Sequence, residues 1–183
     1  MPVAGPCGLV RIGGGGNAPA PVPGLLAPAR RACEAPPMSP IEHALREAEA
    51  AAARGEVPVG AVVTDEAGAV LAAAGNEVEA RCDPTAHAEI LALREAARRL
   101  GSPRLPGCTL TVTLEPCPMC AQAASFFRVK RIVFGAYDPK GGGVDHGARI
   151  FHAPSCHHVP EIVGGVRETE CAALLRGFFA ERR

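Results

Sequence analysis

The 183-residue chain has no tryptophan, one tyrosine and only 4% aromatic residues. A core without large rings must be built from many small aliphatic contacts, which suits helices laid on a sheet. No run of about 18 apolar residues is present, which excludes an ordinary transmembrane helix. The N-terminus lacks the charged stretch and apolar core of a secretory signal, so a cytoplasmic protein with no membrane partner is expected. Charge of either sign is not in excess: 19 basic residues balance 19 acidic ones. A nucleic-acid partner would therefore need a local basic patch rather than a global field.

Eight cysteines are present, but without an export signal a reducing compartment is expected, which favours metal binding or burial over disulfides. Only Cys117 and Cys120 have ligand-like spacing. Cys7, Cys33, Cys82, Cys108, Cys156 and Cys171 are scattered and read as small hydrophobes.

Residues 1–37 differ from the rest, with eight prolines, the run Gly13 to Gly16, and Glu34 as the one acid beside Arg11, Arg30 and Arg31. They read as a disordered extension; an organellar address and a start site assigned too early are the alternatives. In the last case Met38 would be the natural beginning, since Ser39 and Pro40 offer an N-cap and a first-turn proline to the helix that follows. Residues 38–183 are expected to form one domain.

Helices are predicted over 41–54, from 83–85 to 100, from 116–118 to 127, and over 168–180, with Gly55 and Gly101 as stops. Strands are predicted over 57–64, 69–74, 109–114, 132–135 and 161–163. These elements describe an α/β fold: a mixed five-stranded sheet with helices on both faces, a three-layer α-β-α sandwich.

Two clusters carry chemistry, each at a helix start: Thr85-Ala86-His87-Ala88-Glu89 and Glu115-Pro116-Cys117-Pro118-Met119-Cys120. A helix N-terminus favours thiolate over thiol, and cysteines three apart lie on one side of a turn. With His87 they make three ligands, one short of a closed structural zinc site, and the open position admits water, whose pKa zinc lowers to about 7. Glu89, two residues after His87, can move a proton without coordinating. His-x-Glu with Pro-Cys-x-x-Cys is the pattern of zinc nucleobase deaminases. A closed structural site remains an alternative, with a fourth ligand from His43, His146, His152, His157, His158 or a further cysteine. A thioredoxin-like reading leaves His-Ala-Glu unexplained.

Beyond these motifs, Glu56 to Val62, Asn76, Asp83 to Ile90, Val112 to Cys117 and Val133 to Ala136 resemble the bacterial tRNA-specific adenosine deaminases. The resemblance covers residues 41–183 and includes Glu170 to Leu175 with Phe178-Phe179. It implies a cytidine-deaminase-like fold, a homodimer, one Zn2+ per subunit, and adenosine-to-inosine conversion at the wobble position of a tRNA anticodon stem-loop. Carried over by position, His87, Cys117 and Cys120 are ligands and Glu89 shuttles protons. Asn76 and the Ala88 backbone N–H read the base, Val57 with nearby Pro58 stacks on it, and Asp138 and Lys140 belong to an RNA-contacting loop. The chain departs from the pattern at Gln122, Phe126, Phe127 and Cys82, and in the Gly-rich run 141–147. A basic rim for RNA could come from Arg149, Arg167, Arg176, Arg182, Arg183 and Lys140. The rival functions are a deaminase of a free base or nucleoside (guanine, cytosine or adenosine) and a non-catalytic zinc-stabilised RNA-binding module.

Overall fold

A computed structural model describes residues 38–182. The expected disordered extension over 1–37, Cys7, Cys33 and Arg183 lie outside the described residues.

Ser39 starts the first helix, α1 (Pro40–Ala53), where Glu42 Oε2 accepts from the Ser39 N–H at 2.9 Å and from its hydroxyl at 2.8 Å. This satisfies donors that a helix start otherwise leaves unpaired. After it come β1 (Gly60–Thr64), β2 (Val70–Gly75), α2 (Val78–Arg81), α3 (Ala88–Leu100), β3 (Thr109–Leu114), α4 (Pro118–Phe127) and β4 (Arg131–Ala136). A 3-10 turn (Ile150–His152), β5 (Glu161–Val163) and α5 (Glu168–Ala180) complete the chain.

The five strands form one mixed sheet in the order β2-β1-β3-β4-β5. β1 is antiparallel to both β2 and β3, whereas β3, β4 and β5 are parallel. Four strands therefore run one way and β1 alone runs against them. Side chains alternate across each strand: Ala61 and Val63 join the core beneath α3 and α4, while Val62 faces Ile41, Ala44 and Leu45 of α1. Cys171 of α5 completes that second, smaller core. The expected three layers are thus present.

α1 lies very close to the sheet. A Cβ on Gly60 would sit 2.0 Å from the Ala44 carbonyl oxygen, and one on Gly75, its cross-strand partner, 2.6 Å from that of Glu47. Only glycine permits that approach.

Two boundaries differ from expectation by more than one residue. β1 begins at Gly60 rather than Val57, because Val59 N–H bonds to Val57 O in a tight turn. The second predicted helix begins at Ala88 rather than at 83–85. There Asp83 Oδ1 takes the Thr85 N–H at 2.8 Å and forms a separate turn, which leaves His87 as the N-cap. The short α2 and the 3-10 turn have no counterpart in the predicted elements. Among the described residues no helix is long and apolar enough to cross a membrane.

Candidate active site

Open α/β sheets leave a crevice at the carboxyl ends of their strands. Here the ends of β2, β3 and β4 open on a cavity of about 550 Å³. Asn76 follows β2, Glu115 and Cys117 follow β3, Asp138 follows β4, and Glu56, Val57 and Val59 precede the reversed β1; all line the cavity.

His87 and Cys117 are the N-caps of α3 and α4, and Cys120 lies in the first turn of α4. His87 Nδ1 is 3.6 Å from Cys117 Sγ and 3.5 Å from Cys120 Sγ. Tetrahedral zinc with bonds of about 2.3 Å to sulfur and about 2.0 Å to imidazole nitrogen sets those atoms about 3.5 Å apart. The donors therefore have both the spacing and the borderline-soft chemistry that zinc needs. Among the described residues this group of possible donors has three members, with ligand atoms all within 4.8 Å of one another. His146 is engaged by Glu115 at 2.8 Å and His158 Nε2 by Val129 O at 2.6 Å, while His43, His152 and His157 lie outside the group.

Hydrogen bonds from Cys120 and then from His87 draw the Cys117 thiol down to about 4, against the opposing effect of burial. Cys120 is pushed up, first because it holds the proton shared with Cys117 and then by burial. His87 is raised, chiefly by its bond to Cys117. One thiolate is thus ready, and a cation would displace the proton that the second sulfur keeps.

Glu89, in the first turn of α3, is 4% exposed and lines the cavity. Burial, followed by the neighbouring Cys117 charge, raises its carboxyl above the usual range. It stands beside the three donors without being one of them.

Sequence reasoning assigned no role to two buried carboxylates, Glu56 and Glu115. Glu56 is 1% exposed and accepts from Asn76 Nδ2 at 3.2 Å, Glu79 N–H at 3.2 Å and Ala80 N–H at 2.8 Å. Burial pushes its carboxyl upward, but these donors outweigh it and hold the group below 4.5. A carboxylate only accepts, so the Asn76 amide must turn its NH2 toward Glu56, which leaves Oδ1 as the acceptor for a ligand. Glu115 likewise lies below its ordinary value: burial raises it, and the N–H groups of His146 and Asp138 and the His146 ring lower it more. Neither role could be read from residue type, since both depend on burial and on partners 20 or more residues away.

Val57, Asn76 and Asp138 line the cavity. Pro58 does not: it is buried, and Val59 takes the place beside Val57. Ala88 is buried as the first residue of α3, where its N–H belongs to the unpaired set of a helix start. Lys140 is exposed and outside the cavity lining, with its N–H on Asp138 Oδ1 at 3.1 Å. The far end of the chain also lines the cavity through Phe178 and Arg182, whose guanidinium carbon lies 3.6 Å from the ring centroid. Arg167 is paired with Glu42 and Glu170, which removes it from the expected basic rim.

Residues 38–136 match the family model described as the cytidine and deoxycytidylate deaminase zinc-binding region. The chain is 52% identical over 143 residues to the tRNA-specific adenosine deaminase of Agrobacterium fabrum (strain C58), spanning 78% of this chain and 93% of that one. It is also similar to a solved structure from biochemical and structural studies of A-to-I editing by tRNA:A34 deaminases at the wobble position of transfer RNA. That likeness has 51% identity and a TM-score of 0.73, and covers 74% of this chain and 98% of the other. The guanine deaminase of Nitrosomonas europaea is a more distant neighbour, at 26% identity and a TM-score of 0.67, with 77% and 83% covered.

Proposed function

The chain belongs to the zinc-binding family of cytidine and deoxycytidylate deaminases, and on that footing we propose that it converts adenosine to inosine at the wobble position of a tRNA anticodon. The observation that carries this reading is the three-donor group of His87, Cys117 and Cys120, opening on a cavity that also holds a buried, non-ligating Glu89. A closed structural site would need a fourth donor and would have no use for that carboxylate. The likeness to tRNA-specific adenosine deaminases, at 52% identity over most of both chains, supplies the substrate class.

In this reading His87, Cys117 and Cys120 hold one Zn2+. Zinc, when bound, makes a water acidic enough to attack C6 of adenine near neutral pH. Glu89 takes one proton from the water and delivers it to the ring nitrogen, then takes the second from the new C6 hydroxyl and delivers it to the departing amine, so that adenosine and water give inosine and ammonia. Asn76 Oδ1, fixed by Glu56, accepts a hydrogen bond from the base, and the Ala88 N–H donates one. Val57 supplies an apolar contact to the ring. A wobble base must leave its stack to reach such a pocket. Asp138 and Lys140 then meet the flanking RNA, with the exposed Arg176 and Arg182 near the same rim.

Residues 38–183 form the deaminase domain in this proposal, acting in the cytoplasm as a homodimer. Phe126 on α4, 69% exposed in the single subunit, supports such a partner surface.

Incubation with an anticodon stem-loop bearing a wobble adenosine, beside free adenine, adenosine, guanine and cytosine, tests the reading. Inosine and ammonia are expected from the stem-loop alone. Turnover confined to a free base would make the chain a small-molecule deaminase, and no turnover on any substrate by the zinc-loaded protein would leave a non-catalytic zinc module.

A further inference from the structure

Glu115 stands between β3 and α4, two residues before Cys117, and is 2% exposed. Its Oε1 accepts the N–H groups of Val144 at 3.2 Å, Asp145 at 2.9 Å and His146 at 2.9 Å. Its Oε2 accepts the Asp138 N–H at 3.0 Å and meets His146 Nδ1 at 2.8 Å. A loop of nine residues is thus wrapped around one carboxylate, with both oxygens used. The Gly143 N–H fastens the same loop to Pro116 O at 2.8 Å. The fit is close: a Cβ on Gly142 would lie 2.5 Å from Glu115 Oε1 and 2.6 Å from the Asp138 carbonyl oxygen.

Burying a carboxylate is costly unless its lone pairs are filled, and here the donors that fill them come from a single loop. Apolar packing does little to fix that loop's course, since Val144 is its one buried aliphatic side chain. The order continues outward. Asp138, itself held by Glu115, accepts at Oδ1 the N–H groups of Lys140 at 3.1 Å and Gly141 at 3.0 Å. Asp138 and Gly141 are part of the cavity wall. His146, on the other side, also packs edge-on against Tyr137 at 5.8 Å between centroids.

We propose that Glu115 is a positioning residue for substrate binding: its carboxylate holds the loop from Asp138 to His146 as a preformed wall against which the RNA docks. The residue thereby ties the strand end that leads into Cys117 to the surface that receives the nucleotides around the reacting base. A loop ordered in advance does not have to be ordered by the substrate, and that saving appears as affinity rather than as a faster chemical step. The inference rests on the proposed RNA deaminase activity.

Zinc-loaded wild type and Glu115→Gln are compared on the anticodon stem-loop. An amide offers one acceptor and would turn its own donors toward loop N–H groups, so the loop loses its anchor. A rise in KM of about tenfold or more is expected, with kcat within about threefold and zinc content unchanged. The amides of Asp138, Val144, Asp145 and His146 should exchange hydrogen faster, while those of α3 should not. An unchanged KM overturns the inference, and so does loss of zinc with a joint collapse of kcat and KM, which would make Glu115 a strut of the metal site. Should Glu115→Gln fail to fold, Gly142→Ala disturbs the same contact from the loop side. The same KM-selective loss is expected, and an unaltered KM overturns the proposal. Wild type inactive on the stem-loop would instead overturn the reading of function.

Discussion

His87 and Cys117 owe their positions to the same local device, an N-cap with extended backbone in front of an α-helix. The cap places a donor atom at the positive end of the helix, and Cys120 adds the second sulfur one turn on. Removing one sulfur should therefore remove the ion: Cys117→Ala is expected to lose most bound zinc by elemental analysis and to melt lower than wild type. Full zinc occupancy in that variant would refute the ligand assignment. Glu56 and Glu115 set a different expectation. Both are held below the ordinary carboxyl value of 4.5 in the folded chain, so the unfolded chain binds more protons in acid. The stability they contribute is complete above about 4.5 and is lost as pH falls through their lowered values. Urea midpoints measured from pH 7 to pH 3 should fall less steeply for Glu56→Gln than for wild type. Parallel curves would mean that Glu56 binds its proton equally well in the folded and unfolded chain, contrary to its lowered value.

Helix α1 shows how a single position constrains an element. Gly60→Ala would push a Cβ into the Ala44 carbonyl, a backbone atom that cannot swing aside. A loss of about 3 kcal/mol is expected in urea unfolding, and a change below about 1 kcal/mol would show that α1 sits farther from the sheet than described. Elements with local signals were legible in the sequence: β3, β5 and α5 have the predicted bounds, and Ser39-Pro40 marked the start of α1 within a residue. α2 was not legible, because its four residues contain no periodic apolar face and its Glu79 and Ala80 N–H groups are satisfied by Glu56, far back in the chain. The start of α3 was misplaced for a related reason. Asp83 and Thr85 look like a helix start, yet they spend their bonds on each other. The site divides along the same line. His87, Glu89, Cys117 and Cys120 form compact motifs whose spacing reflects one helical turn, whereas Glu56, Glu115 and Phe178 reach the cavity only through the fold.

For the whole molecule, equal numbers of acids and bases mean that an RNA partner is met by a local surface rather than by net charge. Arg176, Arg182 and Lys140 are exposed beside the cavity or its adjoining loop. Three phosphate contacts on a single-stranded loop give a slope of about −2 for log kcat/KM against log salt. Activity on the stem-loop should follow that slope, and a flat dependence would place the substrate among small molecules. The fold accounts for the separation of tasks proposed for the site: α3 brings His87 and α4 brings Cys117 and Cys120 to the proposed metal position, and α3 alone adds Glu89, the proposed proton carrier. That separation is tested most directly by Glu89→Gln, with zinc content and inosine formation in a wobble-adenosine stem-loop measured on one preparation. Zinc equal to wild type, with kcat lowered by a factor of about 10² to 10⁴, is the expected result. Wild-type inosine formation, or loss of the zinc together with the activity, would contradict it.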